Sequence, residues 1–455
     1  MGDPRDVFRA GLEGEWGEQK ERPGLEARVS QRLRGTAQRR RPRGERVLGF
    51  SAVALAVVLL AALGANTLGL LATRRHTPPV LAKPITQPTA EPAVSPSAPA
   101  VTDYGPPPLG VPLFYYVDPA MRSWMVAVDW SGKPRGTVKL GQPVEDSSGF
   151  GGGLLTVAPD GSRIIAGGQV LDPRGTVVSG IATDAKQSYL WADDSRHLCY
   201  MTPSSSPGAT GLPQTLMTFV PGGPARATAR VGVAYNQASA NPLACSITSD
   251  RALVEQAYNG MASESWLVKL STGTVLHHQA YASYTTGSSV GLVSTRDGAF
   301  IAANTTVFNT TPGGSASAGP SVIRSGLTGS LLATMPAGFQ VYGFSSDGNL
   351  AVLQGGQAAG SATPKVEVMN WRTGRVVWNL DATRAPDSGG SRLDLVEVQP
   401  APGGQDVALA FARLAPCATA PGANCGSTYD YLRDIIVVHG DGTSREVATR
   451  VHPVW

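Results

Sequence analysis

The chain has 455 residues, a formal net charge of +4 and only 16% charged residues. Residues 1–46 hold 12 Lys and Arg against 8 Asp and Glu, so the rest of the chain is balanced at 26 of each. Because a neutral domain without a basic run lacks the electrostatic footprint of nucleic-acid binding, we expect no nucleic-acid partner.

Residues 1–46 are predicted to form a short, Arg-rich, helical cytoplasmic tail. Asp3 and Pro4 have the pattern of an N-cap followed by proline in the first helical turn, and Phe8, Leu12 and Trp16 follow at helical spacing. The basic run at residues 39–43 is interpreted as topogenic charge that also attracts anionic lipid, with docking of a cytosolic protein as the alternative.

Residues 47–72 are predicted to form a transmembrane helix. The stretch has 26 residues without a charge. At roughly 1.5 Å per residue it would reach about 39 Å, more than the roughly 30 Å hydrocarbon layer. A cleaved signal peptide and a buried core helix are the alternatives, but a 46-residue leader is long for the first and 26 uncharged residues are long for both.

The charge on either side of the predicted span indicates its orientation. The twenty residues before it contain eight Arg, whereas the twenty after it contain three Lys or Arg. Positive charge concentrates on the cytoplasmic side of membrane proteins. We therefore expect the N-terminus in the cytoplasm and residues 73–455 outside it, in a cell membrane.

This layout resembles the membrane-anchored regulators of GC-rich Gram-positive bacteria, some of which sequester a sigma factor through the inner segment. The resemblance implies a cytosolic protein as a partner of residues 1–46. A zinc-binding inner domain would need His and Cys ligands, but the first of each are His76 and Cys199. We therefore expect no zinc domain in the tail.

Residues 73–112 are predicted to form an extracytoplasmic stalk. Eleven of the 36 residues from 77 to 112 are Pro, interleaved with Ser, Thr and Ala. In a polyproline II conformation this segment would extend to about 110 Å, at roughly 3.1 Å per residue.

Residues 113–455 contain two alternating repeat units. The first is an apolar strand that ends in a tight Asp turn, as in LLTVAPDGSRIIAG and VYGFSSDGNLAVL. We assign a structural role to the turn residues Asp160, Gly161, Asp194, Asp250, Asp297, Gly298, Asp347 and Gly348. The second unit is a hairpin that turns at a glycine: Gly132, Gly175, Gly223, Gly273, Gly329, Gly374 and Gly442.

Seven hairpins, each preceded by two further strands, predict an all-β fold, a seven-bladed β-propeller outside the cytoplasm, with six blades as the alternative. The turns at residues 157–161 (VAPDG) and 344–348 (FSSDG) resemble those of WD-repeat-like propellers of the Tol-system type. The resemblance covers residues 113–455 and implies the fold, with no catalytic residue. Because the first blade lacks an Asp turn, we expect C-terminal residues to supply its missing strand, although Pro453 limits pairing to an edge or a strand end.

The connections of a four-stranded blade alternate between its two faces. The Asp turns and Gly hairpins therefore open on one side, and the longer connections open on the other. Four of these are long and rich in Gly, Ser, Thr or Pro: residues 203–213, 304–320, 354–364 and 415–431. Because loops on a rigid scaffold often carry binding residues, this long-loop face is the expected surface for a protein or envelope ligand, with tolerated surface insertions as the alternative.

Patterns that could support catalysis are few. Residues 287–291 (GSSVG) have the spacing of a nucleophile elbow, but no helix pattern follows them. For His277 and His278 we expect one packed ring and one solvent-facing ring rather than a metal site, and Asp194 is assigned to its turn rather than to an acid pair with Asp193. We expect no metal, cofactor or catalytic residue.

The leading function is therefore non-enzymatic binding, sensing or scaffolding at the bacterial envelope. An enzyme with a site on the propeller axis is one alternative. A transmembrane, anti-sigma-like regulator that acts through the cytoplasmic tail is the other.

All four cysteines lie on the outer side of the predicted span, which suits an oxidising compartment. We predict a disulfide between Cys417 and Cys425, because the loop CATAPGANC is short, and a second one between Cys199 and Cys245 on neighbouring blades. Zinc is the competing interpretation, but gaps of 45, 171 and 7 residues do not resemble paired zinc ligands.

Overall fold

The computed structural model describes residues 103–141, 155–181, 189–202, 213–233, 240–258, 262–282, 288–308, 316–355, 365–380, 384–386, 391–414 and 429–455. Within these ranges the chain forms 27 β-strands and one turn of 3-10 helix, Pro119–Met121. None of the helical structure in these ranges is long and apolar enough to cross a bilayer. The predicted tail, the span at residues 47–72 and the stalk up to residue 102 lie outside the described residues.

The first three strands and five four-stranded sheets follow one another along the chain. The first three strands are β1 (Leu113–Val117), β2 (Trp124–Asp129) and β3 (Pro134–Lys139). Sheet A contains β4 (Leu155–Val157), β5 (Ile164–Ala166), β6 (Gln169–Leu171) and β7 (Val177–Gly180). Sheet B contains β8 (Leu190–Trp191), β9 (Leu198–Met201), β10 (Pro213–Phe219) and β11 (Arg226–Val233).

The remaining sheets repeat the pattern. Sheet C contains β12 (Ala240–Ser246), β13 (Arg251–Tyr258), β14 (Ala262–Lys269) and β15 (Val275–Ala282). Sheet D contains β16 (Ser288–Ser294), β17 (Phe300–Phe308), β18 (Ala316–Ser325) and β19 (Leu331–Thr334). Sheet E contains β20 (Phe339–Phe344), β21 (Leu350–Gly355), β22 (Lys365–Asn370) and β23 (Arg375–Asn379), and the last strands are β24 (Arg392–Pro400), β25 (Val407–Leu414), β26 (Tyr429–Val438) and β27 (Ser444–Val454).

Sheets A to E are antiparallel meanders, because each strand pairs with its neighbours in chain order. The interior strands are apolar on both faces, as in β21, where Leu350, Val352 and Leu353 are at most 2% exposed. A strand that is buried on both faces indicates that its sheet has a packed neighbour on each side.

Sheet F contains seven strands, in the order β24-β25-β26-β27-β1-β2-β3. Strand β27 first pairs with β26, at Val438↔Ser444, and then with β1, at Tyr115↔Val454. The sequence-based prediction that C-terminal residues supply the strand beside β1 is therefore confirmed. Pro453 lies in the second half of β27, opposite Tyr116.

In the described ranges the core is divided into seven apolar clusters between neighbouring sheets. Five of them join sheet A to the β1–β3 half of sheet F, A to B, B to C, C to D, and D to E. The sixth joins E to the β24–β27 half of sheet F. The seventh lies between the two halves of sheet F, where Phe114 and Val128 pack with Ile435 and Val437. Burying each such side chain contributes about 1.5–3 kcal/mol. The order of the sheets and the clusters between them are consistent with a β-propeller.

One hairpin departs from the predicted glycine positions. Six of the predicted hairpin glycines have positive φ, but in the loop after β10 the residue in this conformation is Gly222, with φ +84°, rather than Gly223. The Gly223 N–H donates to the Val220 carbonyl at 2.8 Å, which closes a four-residue turn with Pro221 second and Gly222 third. A type II turn requires positive φ at its third residue, so Gly222 carries that requirement.

Candidate functional site

The predicted Asp turns lie between the first and second strands of sheets A to E. In sheet E the Asp347 carboxylate accepts hydrogen bonds from Ser345 Oγ at 2.6 Å and from the Asn349 N–H at 3.0 Å. Partial burial acts to raise the pKa of Asp347, but hydrogen bonds from Ser345, Asn349 and Gln405 outweigh it and hold that pKa below its usual value. The ionised Asp347 side chain thus stabilises its own turn and also accepts a hydrogen bond from Gln405, in the turn between β24 and β25, at 3.0 Å.

The same geometry recurs in sheet D. Asp297 accepts hydrogen bonds from Thr295 Oγ1 at 2.8 Å and from the Ala299 N–H at 3.0 Å. The following glycines, Gly298 and Gly348, have φ of +67° and +68°, a conformation that side chains with a Cβ rarely adopt.

In the sheet A turn, Asp160 accepts a hydrogen bond from the Ser162 N–H at 2.8 Å, and Gly161 has φ +74°. In sheet B, Asp194 accepts from the N–H groups of Arg196 and His197, each at 3.0 Å. These contacts are internal to each turn.

Asp250 behaves differently from the other turn aspartates. It has φ +53°, and its carboxylate accepts from Ser271 N at 2.7 Å and Ser271 Oγ at 2.6 Å, in the hairpin between β14 and β15. The Asp250 N–H closes its own turn on the Ile247 carbonyl at 3.1 Å, while the carboxylate joins that turn to the hairpin on the same face of sheet C.

These turns are linked across sheets where the first strands meet. Strands β8, β12, β16, β20 and β24 contact one another in succession, so they form the inner side of the sheet array. Asp193 accepts hydrogen bonds from Ser246 Oγ at 2.7 Å and from Ile247 N at 2.8 Å, which joins sheet B to sheet C. Ser195 Oγ accepts from the Asp160 N–H at 3.1 Å and joins sheet B to sheet A.

Arg296 extends furthest across this inner region. It lies in the turn between β16 and β17, and its Nη2 donates to the Pro400 carbonyl of sheet F at 3.1 Å, past sheet E. Burial lowers the pKa of Arg296 to about 10, while the carboxylates of Asp193 and Asp160 oppose that shift. The guanidinium therefore stays charged at neutral pH.

Arg296, Asp160 and Asp193 define the axial cluster, at the inner end of the turns. A guanidinium can bind a carboxylate or phosphate through two parallel hydrogen bonds, but the two aspartates here disfavour a second anion. Both Asp193 oxygens also accept hydrogen bonds, from Ser246 Oγ and from the Ile247 N–H. The contacts of the axial cluster connect turns of different sheets, so we assign the cluster a structural role.

The disulfide between Cys199 and Cys245 is present. Cys199 lies on β9 and Cys245 on β12, and their sulfurs are 2.01 Å apart. Both residues are at most 2% exposed, in the cluster that joins sheets B and C. Cys417 and Cys425 lie outside the described residues.

The residues that suggested other chemistry occupy strands. Ser288 and Ser289 begin β16, so this part of the GSSVG match runs into a strand. His277 Nε2 is buried beneath Gly329, whereas the His278 side chain is 48% exposed, stacks on Trp266 at 5.0 Å between ring centroids and contacts Glu264 at 3.1 Å. In the described ranges no group of three His, Cys, Asp or Glu residues is placed to hold a metal ion.

A small aromatic cleft lies between sheets A and B. Tyr189, Tyr200 and Phe219 have ring centroids 5.3 to 5.9 Å apart, and Gly180 and Gly222 complete the wall of a cleft of about 270 Å³. Small-molecule pockets usually measure roughly 300–1,000 Å³, so this cleft suits a single side chain or ring. Sequence reasoning missed it, because its residues come from two sheets and belong to no motif.

The predicted long-loop face can be located from the strands that flank it. All four long segments connect the second and third strands of a four-strand meander: β9 to β10, β17 to β18, β21 to β22, and β25 to β26. In an antiparallel meander the connection between the second and third strands lies at one end of the strands, and the Asp turns and Gly hairpins lie at the other end. The predicted segment 304–320 is shorter than expected, because residues 304–308 belong to β17 and residues 316–320 to β18. Most residues of the other three segments lie outside the described ranges.

Comparisons with known proteins add little to this geometry. No protein-family model matches the chain, and no curated protein matches it at a significant level. Among solved structures, TolB from Acinetobacter baumannii is 16% identical over 66% of this chain and 65% of its own, with a TM-score of 0.34.

Two peptidases are also similar. The β-propeller domain of the Trilobed protease from Pyrococcus furiosus is 12% identical over 63% of this chain and 90% of its own, with a TM-score of 0.37. Oligopeptidase B from Leishmania major is 12% identical over 76% of this chain and 49% of its own, with a TM-score of 0.40. This chain thus spans less than two thirds of TolB and about half of oligopeptidase B. Likenesses this distant carry no argument about function.

Proposed function

We propose that this chain is a single-pass membrane protein whose extracytoplasmic, seven-bladed β-propeller binds a protein or envelope ligand without catalysing a reaction. The seven apolar clusters support seven blades, because a ring has as many seams as blades. The double pairing of β27 supplies the first blade with its fourth strand.

The location outside the cytoplasm is supported by the disulfide. Disulfides persist in oxidising compartments and are rare in the cytosol of mesophiles. The Cys199–Cys245 bond joins two different sheets and is buried in their shared cluster, so it belongs to the folded core. This agrees with the orientation expected from the Arg-rich tail and the uncharged stretch at residues 47–72.

The observation that supports the binding role is that the four long segments all leave from the same end of the strands. A rigid ring presents segments from sheets B, D, E and F on the same side, which is how scaffolds present binding loops. The axial alternative is less favoured, because Asp193 already accepts hydrogen bonds from Ser246 and Ile247. A general base needs an oxygen that is available to the reacting proton.

Photocrosslinking in living cells tests the binding role. A photoreactive amino acid replaces Thr310 or Gln357 in two long segments of the full chain. Because both segments are proposed to face the same ligand, irradiation should attach the same partner at both positions.

The matched control is Thr328, an exposed residue in the hairpin between β18 and β19. It lies at the end of the strands opposite the Thr310 segment of the same sheet. Attachment of the same partner at Thr328 with equal yield would contradict a binding face formed by the long segments. Absence of any partner at Thr310 and Gln357 would also contradict it.

A further inference from the structure

The exposed large apolar side chains concentrate in one part of the fold. The outer rim consists of the edge strands β3, β7, β11, β15, β19 and β23 with the turns that precede them, residues 130–139, 172–180, 220–233, 270–282, 326–334 and 371–379. Of the 13 exposed large apolar residues in the described ranges, nine lie in the outer rim: Val177, Val178, Val220, Val275, Leu276, Leu327, Leu331, Leu332 and Val376.

These nine residues also share a position along their strands. Each lies in the hairpin turn or in the first two residues of the edge strand that follows it, so all are near the hairpin end. Five of the six rim segments contribute at least one. Scattered single apolar residues are normal on a protein surface, but the same feature repeated in segment after segment marks an interaction surface.

The outer rim is also basic, although the chain after residue 46 is neutral overall. It contains eight Lys or Arg and one acidic residue, Asp172. All eight cations are exposed: Lys133, Arg135, Lys139, Arg174, Arg226, Arg230, Arg372 and Arg375. Three of the rim segments, residues 172–180, 220–233 and 371–379, carry both exposed cations and exposed apolar side chains. This is the composition of surfaces that lie at the boundary of an anionic membrane.

We infer that the hairpin end of the outer rim docks on the surface of an anionic lipid bilayer. The hairpins of all the sheets lie at the same end of the strands. In a ring of sheets, the rim side chains near the hairpins therefore lie around one face. A planar partner can contact every sector of such a face at once, whereas a globular partner contacts one or two. The long-loop face then points away from the membrane.

The inference rests on the proposed anchor, which keeps the rim close to lipid. Tethering through residues 73–112 makes docking intramolecular when that segment bends back toward the bilayer instead of extending to its full polyproline II length. Weak contacts, each worth little alone, are then sufficient to orient the propeller.

Photocrosslinking to lipid tests the inference on the full chain. The protein is reconstituted into vesicles of phosphatidylglycerol mixed with phosphatidylcholine, or of phosphatidylcholine alone. A photoreactive residue replaces Leu332 in the rim or Val307, an exposed apolar residue near the opposite end of β17. We expect about tenfold more lipid attachment at Leu332 than at Val307 in the anionic vesicles, and less in the neutral ones.

A charge-reversal pair separates electrostatic docking from simple proximity. The double variant Arg174→Glu, Arg375→Glu should reduce lipid attachment at Leu332 about tenfold. The control Arg122→Glu, Arg384→Glu changes the net charge equally at exposed positions on the opposite edge, and should change attachment less than twofold.

Retention of the protein in vesicles after alkaline carbonate washing is measured first. Loss of the protein at that step would overturn the proposed anchor and with it the inference. Retention with equal lipid attachment at Leu332 and Val307 would overturn the inference alone. Attachment of Leu332 to a second copy or to another protein would also overturn it.

Discussion

At the scale of single residues, one buried carboxylate holds an irregularity in the last strand, next to the residues that pair with β1. Arg450 has φ +54°, a left-handed conformation, and lies at a register shift within the pairing of β27 with β26, just before the pairing with β1 begins at His452. Its N–H donates to Asp434 Oδ1 at 2.9 Å, and Arg413 binds the same carboxylate through Nε at 2.8 Å and Nη2 at 3.1 Å. Asp434 is fully buried, so these partners replace the water that it loses.

Replacing Asp434 with alanine should destabilise the protein strongly. The change removes a fully buried carboxylate that accepts hydrogen bonds from the Arg413 guanidinium and from the Arg450 N–H, a loss of about 3–5 kcal/mol for a buried pair. Urea denaturation of the full chain in detergent measures the effect. Asp441→Ala, in an exposed hairpin, is the control, and an equal effect for both variants would contradict the role of Asp434.

Glu255 makes stability depend on pH. It lies partly buried between sheets C and D, and burial raises its pKa, although Ser263 and the Leu292 N–H oppose the shift. The folded state therefore holds this proton more tightly than the unfolded chain does, whose pKa is about 4.3. The stabilisation from Glu255 is complete below that value and is lost as the pH rises through the folded pKa.

The variant Glu255→Gln removes that titration. Its melting temperature relative to the natural protein should rise between pH 4 and pH 8, because the natural protein alone loses stability there. A difference between the two proteins that is constant with pH would refute the assignment.

The role of a residue was predictable from the sequence where its hydrogen-bond partners lie close to it in the chain. Asp160, Asp297 and Asp347 each accept a hydrogen bond from an N–H two residues ahead, so the short motif alone indicated a turn. Asp434 and Arg296 act over 16 to 104 residues of chain. No sequence window contains both partners, which is why these roles became visible only in the folded structure.

At the scale of elements, β27 is the strand on which closure of the ring depends. Its second half is buried, with His452 at 4% and Val454 at 2% exposure. The Trp455 indole contacts Phe114, with ring centroids 6.3 Å apart, and its carbonyl accepts from Thr156 Oγ1 at 3.2 Å. The C-terminal residues therefore contact both the first strand and sheet A.

Deleting residues 452–455 should remove the pairing between β27 and β1. The backbone of β1 would lose the neighbour that it pairs with at Tyr115↔Val454, so its amides should exchange hydrogen at least tenfold faster. Mass spectrometry of exchanged peptides measures this. Pro453→Ala is the control, since proline donates no hydrogen bond there, and equal exchange in the deletion variant and the control would contradict closure by β27.

The disulfides are a second prediction at this scale. A peptide map made without reduction should contain the Cys199–Cys245 link, and we predict a Cys417–Cys425 link whose short loop contributes roughly 2–3 kcal/mol in the chain-entropy model. Free thiols at Cys417 and Cys425, or a cross between the two pairs, would refute the second pairing.

At the scale of the whole molecule, the repeat pattern predicted the sheets well, because each unit encodes its own turns. Gly132, Gly175 and Gly442 turn where the pattern indicated. The position of Gly222 was missed, because the turn depends on Pro221 and not only on the glycine pair. The aromatic cleft and the basic, apolar outer rim were missed as well, since they arise only when distant segments are stacked side by side.

The account as a whole depends on the orientation of the chain in the membrane. Protease added to intact protoplasts that carry an epitope at each end of the protein tests it directly. We predict loss of the C-terminal epitope and the propeller, with survival of the N-terminal epitope. Survival of the C-terminal epitope until the membrane is permeabilised would contradict the account.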